Sequence, residues 1–333
     1  MRILVTGGAG YVGSVSVEAL LAAGHDVSVL DDLSTGHWHS VPDAARLEIG
    51  SYGDETELIE LLDAGRIEAI LHCAARSLVG ESLSDPARYY RDNVAGGVAL
   101  LEAVRQVGVS RFVFSSTAAV YGVPDTTPIE EDAPLRPINT YGETKRTFEG
   151  ALAAYGAAYG LRSVSLRYFN VAGASERNGE VHEPETHLIP NILRASDGTG
   201  EPLTIFGDDY PTSDGTCIRD YIHVADLADA HLLALEATAP DDDRTAQPLV
   251  LNLGNGDGFS VREVLTAAEA AVGRAIPHEI GPRRAGDPPV LLASAARARD
   301  VLGWEPQRPS LEEMIGSAWE WRQHNPDGYP PGG

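Results

Sequence analysis

Short apolar segments alternate with segments of helical periodicity through the first half of the chain, and this alternation constrains the fold most strongly. Strands are predicted at 2–6, 26–30, 46–49, 69–72, 111–114 and 163–166, and helices at 11–23, 55–62, 92–107 and 139–159. Strands that alternate with helices form a parallel sheet covered on both faces. Right-handed crossovers then predict a doubly wound, Rossmann-like α/β fold.

The rhythm changes after about residue 171, where Pro and Gly become denser. We predict a dinucleotide-binding domain over 1–170, with a returning segment near 225–255 that supplies a helix at 225–236 and a strand at 249–253. Residues 171–224 and 256–333 are predicted to form a smaller α/β C-terminal substrate-binding domain with a helix near 311–322. The last residues, 330–333, are expected to be frayed.

Composition narrows the function classes. The 333 residues carry 49 acidic and 25 basic side chains, a formal charge of -24, which disfavours nucleic acid and anionic membranes as partners. No apolar run is long enough to span a bilayer. The start, MRILVTGG, enters a strand without a charged leader, and the only two cysteines, Cys73 and Cys217, suit a reducing compartment. We therefore expect a cytoplasmic protein.

A glycine-rich loop separates the first strand from the first helix. It reads Thr6-Gly-Gly-Ala-Gly-Tyr-Val-Gly13, which places Gly7, Gly10 and Gly13 three residues apart. In a strand–turn–helix unit, such glycines allow a tight turn, close approach of a pyrophosphate and close helix packing, while the helix N-terminus attracts the phosphates. The loop therefore predicts a dinucleotide site.

An acidic residue at the end of the second strand indicates which dinucleotide. Asp31 lies where a carboxylate meets the adenosine ribose in such folds, and Asp32 either shares this role or begins the following loop. A carboxylate there accepts from both ribose hydroxyls and repels a 2′-phosphate. The sequence therefore favours NAD over NADP.

Tyr141 and Lys145 form the second chemical signal. They lie four residues apart on a predicted helix, so both side chains project from one face. Lys145 is the single lysine among 25 basic residues. A nearby ammonium stabilises a phenolate, and a bound nicotinamide cation adds to the effect, so the pair is predicted to act as a general base near neutral pH.

Hydroxyl side chains follow the strand predicted at 111–114. Ser115, Ser116 and Thr117 stand at the carboxyl end of that strand, where parallel sheets bind ligands. A hydroxyl there hydrogen-bonds a substrate alcohol and relays its proton to a tyrosine, with Thr117 best placed. Local capping of the strand end is an equally good interpretation of these residues.

Together these passages resemble the extended short-chain dehydrogenase/reductase family and, within it, the UDP-glucose 4-epimerases, over nearly the whole chain. The passages that carry the resemblance are TGGAGYVG at Thr6, DDLSTG at Asp31, VGES at Val79, YYRDNV at Tyr89, SSTAAVYG at Ser115, YGETK at Tyr141, LRYFNVAGA at Leu166, HLIP at His187, IFGDDYPTSDGTCIRDYIHVADLADAH at Ile205 and RRAGD at Arg283.

The resemblance implies NAD as cofactor, a UDP-sugar as substrate and inversion at C4 of the hexose. It implies that Tyr141 is the base, that Lys145 is its partner and that Thr117 bonds the sugar 4-hydroxyl. The implied cofactor-binding residues are Gly7, Gly10, Tyr11, Val12, Gly13, Asp31, Asp32, Ser51, Tyr52, Ala74, Ala75, Ser77, Asn93, Ser115, Tyr141, Lys145 and Tyr168. The implied substrate-binding residues are Ser116, Thr117, Tyr141, Asn170, His187, Leu188, Arg219, Arg284, Asp287 and Leu291.

The chain departs from the family pattern at three places. After the third strand, Ser51 and Tyr52 stand where the family often has an Asp that meets adenine. Ser77 replaces a Lys that many members carry after the fourth strand. Leu291 occupies a position that resembles a gate for the sugar 2-substituent, and its intermediate size leaves acceptance of N-acetylated sugars open.

Several alternatives remain at this level. Another UDP-sugar, such as UDP-GlcNAc, a UDP-pentose or UDP-glucuronate, is a possible substrate. A 4,6-dehydratase is disfavoured because Thr117 is followed by two alanines rather than by an acid pair, and a non-catalytic NAD-binding scaffold is disfavoured because Tyr141 and Lys145 are both present. No metal is predicted: the histidines lack ligand spacing, and His37-Trp-His39 is interpreted as a loop. A homodimer through the helices predicted at 92–107 and 139–159 is implied by the resemblance.

Overall fold

A computed structural model describes residues 1–245, 247–284 and 287–330. The predicted fraying at 331–333 and two residues of the RRAGD passage, Ala285 and Gly286, lie outside the described residues. Among the described residues, no helix combines the length and apolar character needed to cross a membrane.

The strands, in chain order, include seven that form one sheet. They are β1 (Arg2–Thr6), β2 (Asp26–Asp31), β3 (Arg46–Ile49), β4 (Ala69–His72), β5 (Arg111–Ser115), β6 (Arg162–Tyr168), β7 (Asn170–Ala172), β8 (Leu203–Phe206), β9 (Ile218–Arg219), β10 (Tyr221–His223), β11 (Leu249–Leu253), β12 (Phe259–Ser260), β13 (His278–Gly281) and β14 (Val290–Leu291). The large sheet has the order β11-β6-β5-β4-β1-β2-β3 and is parallel throughout. The predicted doubly wound α/β fold is confirmed.

Helices cover both faces of this sheet. They are α1 (Tyr11–Ala22), α2 (Glu55–Ala64), α3 (Val79–Ser84), α4 (Pro86–Tyr89), α5 (Gly97–Val107), α6 (Thr140–Tyr159), α7 (Leu188–Asp197), α8 (Val224–Ala237), α9 (Val261–Val272), α10 (Ala296–Leu302) and α11 (Leu311–His324). One apolar core joins the sheet to α1, α8 and α10, and a second joins its other face to α2, α5 and α6. A third core unites α7, α9 and α11 away from the sheet.

The strand order places the ligand crevice. Strand order reverses between β1 and β4, because the chain runs outward from β1 through β2 to β3 and then returns to β4 on the other side. In such sheets, ligands bind at the carboxyl ends of the strands beside this reversal. The glycine loop follows β1, and Thr117 follows β5, so both lie at this edge.

Two predictions about the elements have informative outcomes. The strand expected at 249–253 is β11, and it pairs with β6 in the large sheet. The helix expected at 92–107 is confirmed as helical, but it is not one regular α-helix, because residues Tyr90–Gly96 form a wider π-helical turn before α5. This turn contains Asn93, and such turns recur at functional sites. The proposed division into two domains stays a prediction.

Replacing Gly13 by alanine tests the packing of the glycine loop on α1. A Cβ at Gly13 would overlap the carbonyl oxygen of Gly7, which is backbone and has little room to move. We expect Gly13→Ala to lower the free energy of unfolding by about 1–3 kcal/mol or more, as overpacking does. Denaturant unfolding followed by circular dichroism measures this.

Gly150→Ala is the matched control. Gly150 lies inside α6, and a Cβ there would meet no atom within 4 Å. Alanine is the better helix former, so we expect this variant to be as stable as the parent or more stable by up to about 1 kcal/mol. Equal stability of the two variants would contradict the packing role of Gly13.

Candidate active site

A cavity of about 1420 Å³ lies at the carboxyl edge of the sheet, where the strand order reverses. Most of the residues implied to bind cofactor or substrate line it: Gly7, Gly10, Tyr11, Val12, Gly13, Asp31, Asp32, Ser51, Tyr52, Ala74, Ala75, Ser77, Thr117, Tyr141, Lys145, Tyr168, Asn170, His187 and Arg284. The structure therefore brings together residues from both halves of the chain in one crevice.

The glycine loop forms one wall of the cavity. Gly7 has a left-handed φ of +73°, and a Cβ there would lie 2.5 Å from the backbone nitrogen of Ala74. At Gly10 a Cβ would meet only the Gly7 carbonyl oxygen, at 3.4 Å, so no internal clash demands this glycine and its effect is to keep the cavity wall open. No side chain caps the N-terminus of α1 at Gly10. A pyrophosphate therefore finds free space and helix N–H groups here.

Asp31 is held rigidly at the end of β2. Its Oδ2 accepts from the N–H of Ala9 at 2.9 Å, and its Oδ1 accepts from the N–H of Leu33 at 2.9 Å. Burial raises the pKa of its carboxyl group, although these two backbone hydrogen bonds lower it. Carboxylate oxygens have remaining acceptor capacity, so a ribose diol fits this position.

Arg76 is a cavity residue that the sequence analysis missed. Its Nε donates to Asp92 at 3.0 Å, its Nη1 donates to the Ser34 hydroxyl at 3.0 Å, and its Nη2 lies 3.5 Å from Asp32. This guanidinium therefore stands on the ribose side of the cavity, balanced by two carboxylates. No sequence pattern indicated Arg76, because its hydrogen bonds join segments that are far apart in the sequence.

Asn93 acts below the cavity surface. Its side-chain oxygen accepts from the Arg76 N–H at 2.8 Å, and its amide donates to the Arg76 carbonyl at 3.0 Å and to the Thr144 hydroxyl at 3.1 Å. The side chain is buried and does not line the cavity. Asn93 therefore fixes the loop after β4 against α6.

Two residues predicted to replace the family's adenine-binding aspartate lie at the cavity wall. Tyr52 and Ser51 line the cavity beside Asp54, and the Tyr52 hydroxyl donates to the carbonyl of Asp92 at 2.9 Å. Ser77 also lines the cavity. Direct contact of these residues with a cofactor stays a prediction.

The Lys145 side chain is held at the carboxyl end of β5, the catalytic edge of the sheet. The N-terminus of α6 is capped by Asn139, whose side chain accepts from the Gly142 N–H at 2.8 Å, and Lys145 follows one turn later. Its Nζ donates to the carbonyl of Ser115 at 2.8 Å, so α6 is tied to the end of β5. Burial lowers the pKa of this ammonium to about 8, although Cys73 and Glu149 raise it.

Tyr141 lies next to this ammonium, with Lys145 Nζ 5.9 Å from its ring centroid. Burial raises the pKa of the Tyr141 phenol to about 12, although the neighbouring Thr117 hydroxyl lowers it. Burial therefore acts against the expected depression of this pKa. A cation stacked in the cavity would favour the phenolate and lower the pKa of the phenol.

The three hydroxyls after β5 have different surroundings. Thr117 lines the cavity, and its side chain also accepts from the Ala119 N–H at 3.2 Å, so the predicted local capping is present and the role toward a substrate stays a prediction. The Ser115 hydroxyl contacts His231 Nε2 at 3.1 Å and donates to Cys73 at 3.2 Å. The Ser116 hydroxyl donates to Glu149 at 2.5 Å, away from the cavity.

The implied substrate residues divide into two groups. Asn170, His187 and Arg284 line the cavity, whereas Leu188, Asp287, Leu291 and Arg219 do not. Arg219 pairs with Asp287, and Leu291 is beside Arg219 in the β14–β9 pair. The Arg284 guanidinium lies 4.1 Å from the Phe206 ring centroid.

His187, a predicted substrate-binding residue, belongs to a cluster at the cavity wall whose other members were missed. His187 contacts two carboxylates, Glu180 at 2.9 Å and Glu185 at 2.8 Å, and His182 lies beside the same pair. Burial lowers the pKa of each imidazole, but the carboxylates outweigh it and raise the pKa of His182 to about 9 and that of His187 to about 10. The carboxylates and His182 escaped notice because the spacing matches no familiar motif.

Comparison with known proteins gives a consistent result. A profile of the NAD dependent epimerase/dehydratase family matches residues 3–254. A UDP-glucose 4-epimerase of Corynebacterium glutamicum is 50% identical over 319 residues, which are 96% of this chain and 95% of the relative.

Solved structures agree. The crystal structure of a UDP-glucose 4-epimerase superposes with a TM-score of 0.96 at 45% identity, covering 99% of this chain and 100% of the other. A UDP-glucose 4-epimerase from Brucella ovis in complex with NAD gives a TM-score of 0.92 at 44% identity, covering 96% and 97% of the two chains.

Replacing Asp32 by asparagine tests the balance of charge around Arg76. The change removes one of the two carboxylates that neutralise Arg76, and a freed arginine at this position accommodates a 2′-phosphate. We expect the affinity for NADP relative to NAD to rise about 10-fold, equivalent to about 1.4 kcal/mol. Competition of NADP against bound NAD measures the ratio.

Two controls accompany this variant. Asp32→Glu keeps the negative charge, so we expect the parental ratio, and adding Arg76→Ala to Asp32→Asn should abolish the gain. An unchanged ratio in Asp32→Asn would show that Asp32 does not restrain Arg76.

Proposed function

The chain belongs to the NAD dependent epimerase/dehydratase family, and from this premise we propose that it is an isomerase that inverts C4 of a UDP-hexose, interconverting UDP-glucose and UDP-galactose. The observation that carries the proposal is the meeting of Tyr141, Lys145 and Thr117 in the cavity that also contains the glycine loop. The full-length similarity to UDP-glucose 4-epimerases supports the sugar and the reaction.

The cavity fits NAD, because the open wall at Gly10, the uncapped start of α1 and the fixed carboxylate of Asp31 match a pyrophosphate and a ribose. When bound, NAD takes up hydride from C4 and returns it to the opposite face of the sugar. Because the chemistry ends with no net oxidation, we propose that the cofactor remains bound between turnovers.

The chain's own residues handle the proton. We assign Tyr141 as the base that removes the proton of the sugar 4-hydroxyl, directly or through the Thr117 hydroxyl beside it. Lys145 supplies the positive charge that favours the phenolate, and its bond to the Ser115 carbonyl keeps that charge in place. After the sugar turns over, the same Tyr141 returns the proton.

The nucleotide end requires cations, because an acidic protein must hold a diphosphate. Arg284 lines the cavity and is the best-placed guanidinium for this task. Arg219 is paired with Asp287, so its use would require rearrangement of that ion pair on binding. We also propose that Asn170 and His187, both at the cavity wall, contact the nucleotide-sugar.

The choice among sugars depends on the 2-substituent. Leu291 packs against the apolar cluster of Val120, Tyr121 and Ile129, which follow Thr117 in the sequence. Leu291 does not line the cavity, so the full-length similarity to UDP-glucose 4-epimerases supports our proposal of UDP-glucose and UDP-galactose as substrates, with UDP-GlcNAc, a UDP-pentose and UDP-glucuronate as alternatives for a substrate panel.

A 4,6-dehydratase is less well supported, because Ala118 and Ala119 after Thr117 carry no acid or base. A non-catalytic NAD-binding scaffold is less well supported because the Tyr141–Lys145 pair is retained next to the cavity.

We further propose a homodimer, a cytoplasmic location and a part in galactose metabolism. The dimer is supported by exposed apolar side chains on the helices expected to pair, namely Val98 and Tyr159. Light scattering on the purified chain distinguishes monomer from dimer directly.

Replacing Tyr141 by phenylalanine tests the proposed base. The change removes only the hydroxyl, so the fold and NAD binding should persist while turnover of UDP-galactose to UDP-glucose falls about 10²–10⁴-fold. A coupled assay of UDP-glucose formation measures turnover, and NADH absorbance after mixing with UDP-galactose measures the first hydride transfer.

Tyr159→Phe is the matched control, because Tyr159 is an exposed tyrosine at the other end of α6. It should retain parental turnover. Near-parental turnover in Tyr141→Phe would remove Tyr141 as the base, and an absence of NADH formation in the unmodified protein with every sugar of the panel would favour the scaffold.

A further inference from the structure

Four side chains with metal-binding atoms converge on the segment that precedes α7. They are Glu180, His182, Glu185 and His187, and one ligand atom from each lies within 4.8 Å of all the others. The proposed reaction assigns His187 to the nucleotide-sugar but gives no role to the other three. The grouping therefore needs its own explanation.

The ligand atoms lie close enough together for one ion to contact all four residues. His187 Nδ1 lies 2.9 Å from Glu180 Oε1 and 2.8 Å from Glu185 Oε1, and His182 Nδ1 lies 3.3 Å from Glu180 Oε1 and 3.7 Å from Glu185 Oε2. A tetrahedral ion with bonds of about 2.0–2.1 Å separates its ligands by about 3.3 Å. The four distances between nitrogen and oxygen atoms range from 2.8 to 3.7 Å and so include this value.

The orientation of His182 adds an independent observation. Its Nδ1 is fully buried and, among the described residues, has no hydrogen-bond partner of acceptable geometry, although two carboxylates lie close to it. Protonated, this nitrogen forms ion pairs with both carboxylates; deprotonated, it would be a buried acceptor without a donor, which is costly. It is well placed if its lone pair points to an ion between the carboxylates.

The carboxylates are also prepared for such a role. The side chain of Glu185 is 2% exposed and that of Glu180 is 9% exposed. Glu185 Oε1 accepts from the backbone N–H groups of Thr186 and His187, each at 2.8 Å, which fixes the carboxylate in the way that outer-shell hydrogen bonds orient metal ligands.

We propose that Glu180, His182, Glu185 and His187 form a binding site for one divalent zinc-class ion in the wall of the substrate cavity. Two imidazole nitrogens and two carboxylate oxygens suit Zn²⁺, whereas Mg²⁺ and Ca²⁺ prefer oxygen alone. Binding of the ion would release the protons that the two imidazoles hold in the ion-free cluster, and the two ionised carboxylates would then balance the charge of the ion.

The ion would hold protein residues in position and would take no part in the proposed reaction. It would tie residues 180–187 into one unit directly before α7, which begins after His187. Because His187 would use Nδ1 for the ion, its Nε2 would stay available to the cavity that His187 lines. The site would thus fix the wall of the nucleotide-sugar pocket.

Zinc binding by the full-length protein tests this directly and independently of the epimerase reaction. The purified protein is treated with chelator, dialysed, titrated with Zn²⁺ by calorimetry and analysed for metal content. We expect one Zn²⁺ per chain, a higher melting temperature with Zn²⁺ than with chelator, and no comparable effect of Mg²⁺.

Three variants locate the ion. Glu180→Gln and His182→Asn each remove one ligand with little change of size, so we expect the dissociation constant for Zn²⁺ to rise at least about 100-fold in each. His324→Asn, at the exposed end of α11, should bind zinc as the parent does.

Two results would overturn the proposal. A zinc content well below one per chain in the unmodified protein would show that the cluster consists of imidazolium–carboxylate ion pairs only. Parental zinc affinity in both Glu180→Gln and His182→Asn would place any bound zinc elsewhere, and circular dichroism of the variants shows whether they remain folded.

Discussion

The catalytic edge depends on one buried ammonium. Lys145 Nζ donates to the Ser115 carbonyl at 2.8 Å, and this bond joins α6 to the end of β5. Burial penalises the charge and lowers the pKa of Lys145 to about 8. Burial also raises the pKa of Tyr141 to about 12. The chain therefore supplies the geometry of a base, and a bound nicotinamide cation would add to the positive charge of Lys145.

The polar framework around this edge explains why several implied ligands lie beneath the surface. The Ser116 hydroxyl donates to Glu149, and the buried Glu149 carboxylate also forms an ion pair with Arg167. Removing one partner of such a buried ion pair leaves the other charge unpaired, which lowers the free energy of unfolding by about 3–5 kcal/mol. The side-chain amide of Asn93 likewise forms hydrogen bonds with the backbone of Arg76. These residues position the residues that line the cavity.

Periodicity predicted the fold well, because most strands proposed for the large sheet are apolar runs that become buried there, whereas the edge strand β3 contains two charged residues and is at most partly buried. The glycine loop and the Tyr141–Lys145 spacing are local patterns, so the sequence could place them. Arg76 and the Glu180–His187 cluster could not be predicted, because their contacts arise between loops or within an irregular segment. The π-helical turn at Tyr90–Gly96 was missed because its apolar spacing resembles that of an ordinary helix.

Ionisation of Tyr141 is the most direct test of this account. Tyrosinate absorbance is titrated in the protein with and without NAD, and the titration of Tyr141→Phe is subtracted so that only this phenol is followed. The account predicts that the phenol of the NAD-free protein ionises only in strongly alkaline solution, and that bound NAD moves its pKa down by several units toward neutrality. A phenol that titrates at the same alkaline pH with NAD bound would contradict the claim that Lys145 and the cofactor together make Tyr141 a base.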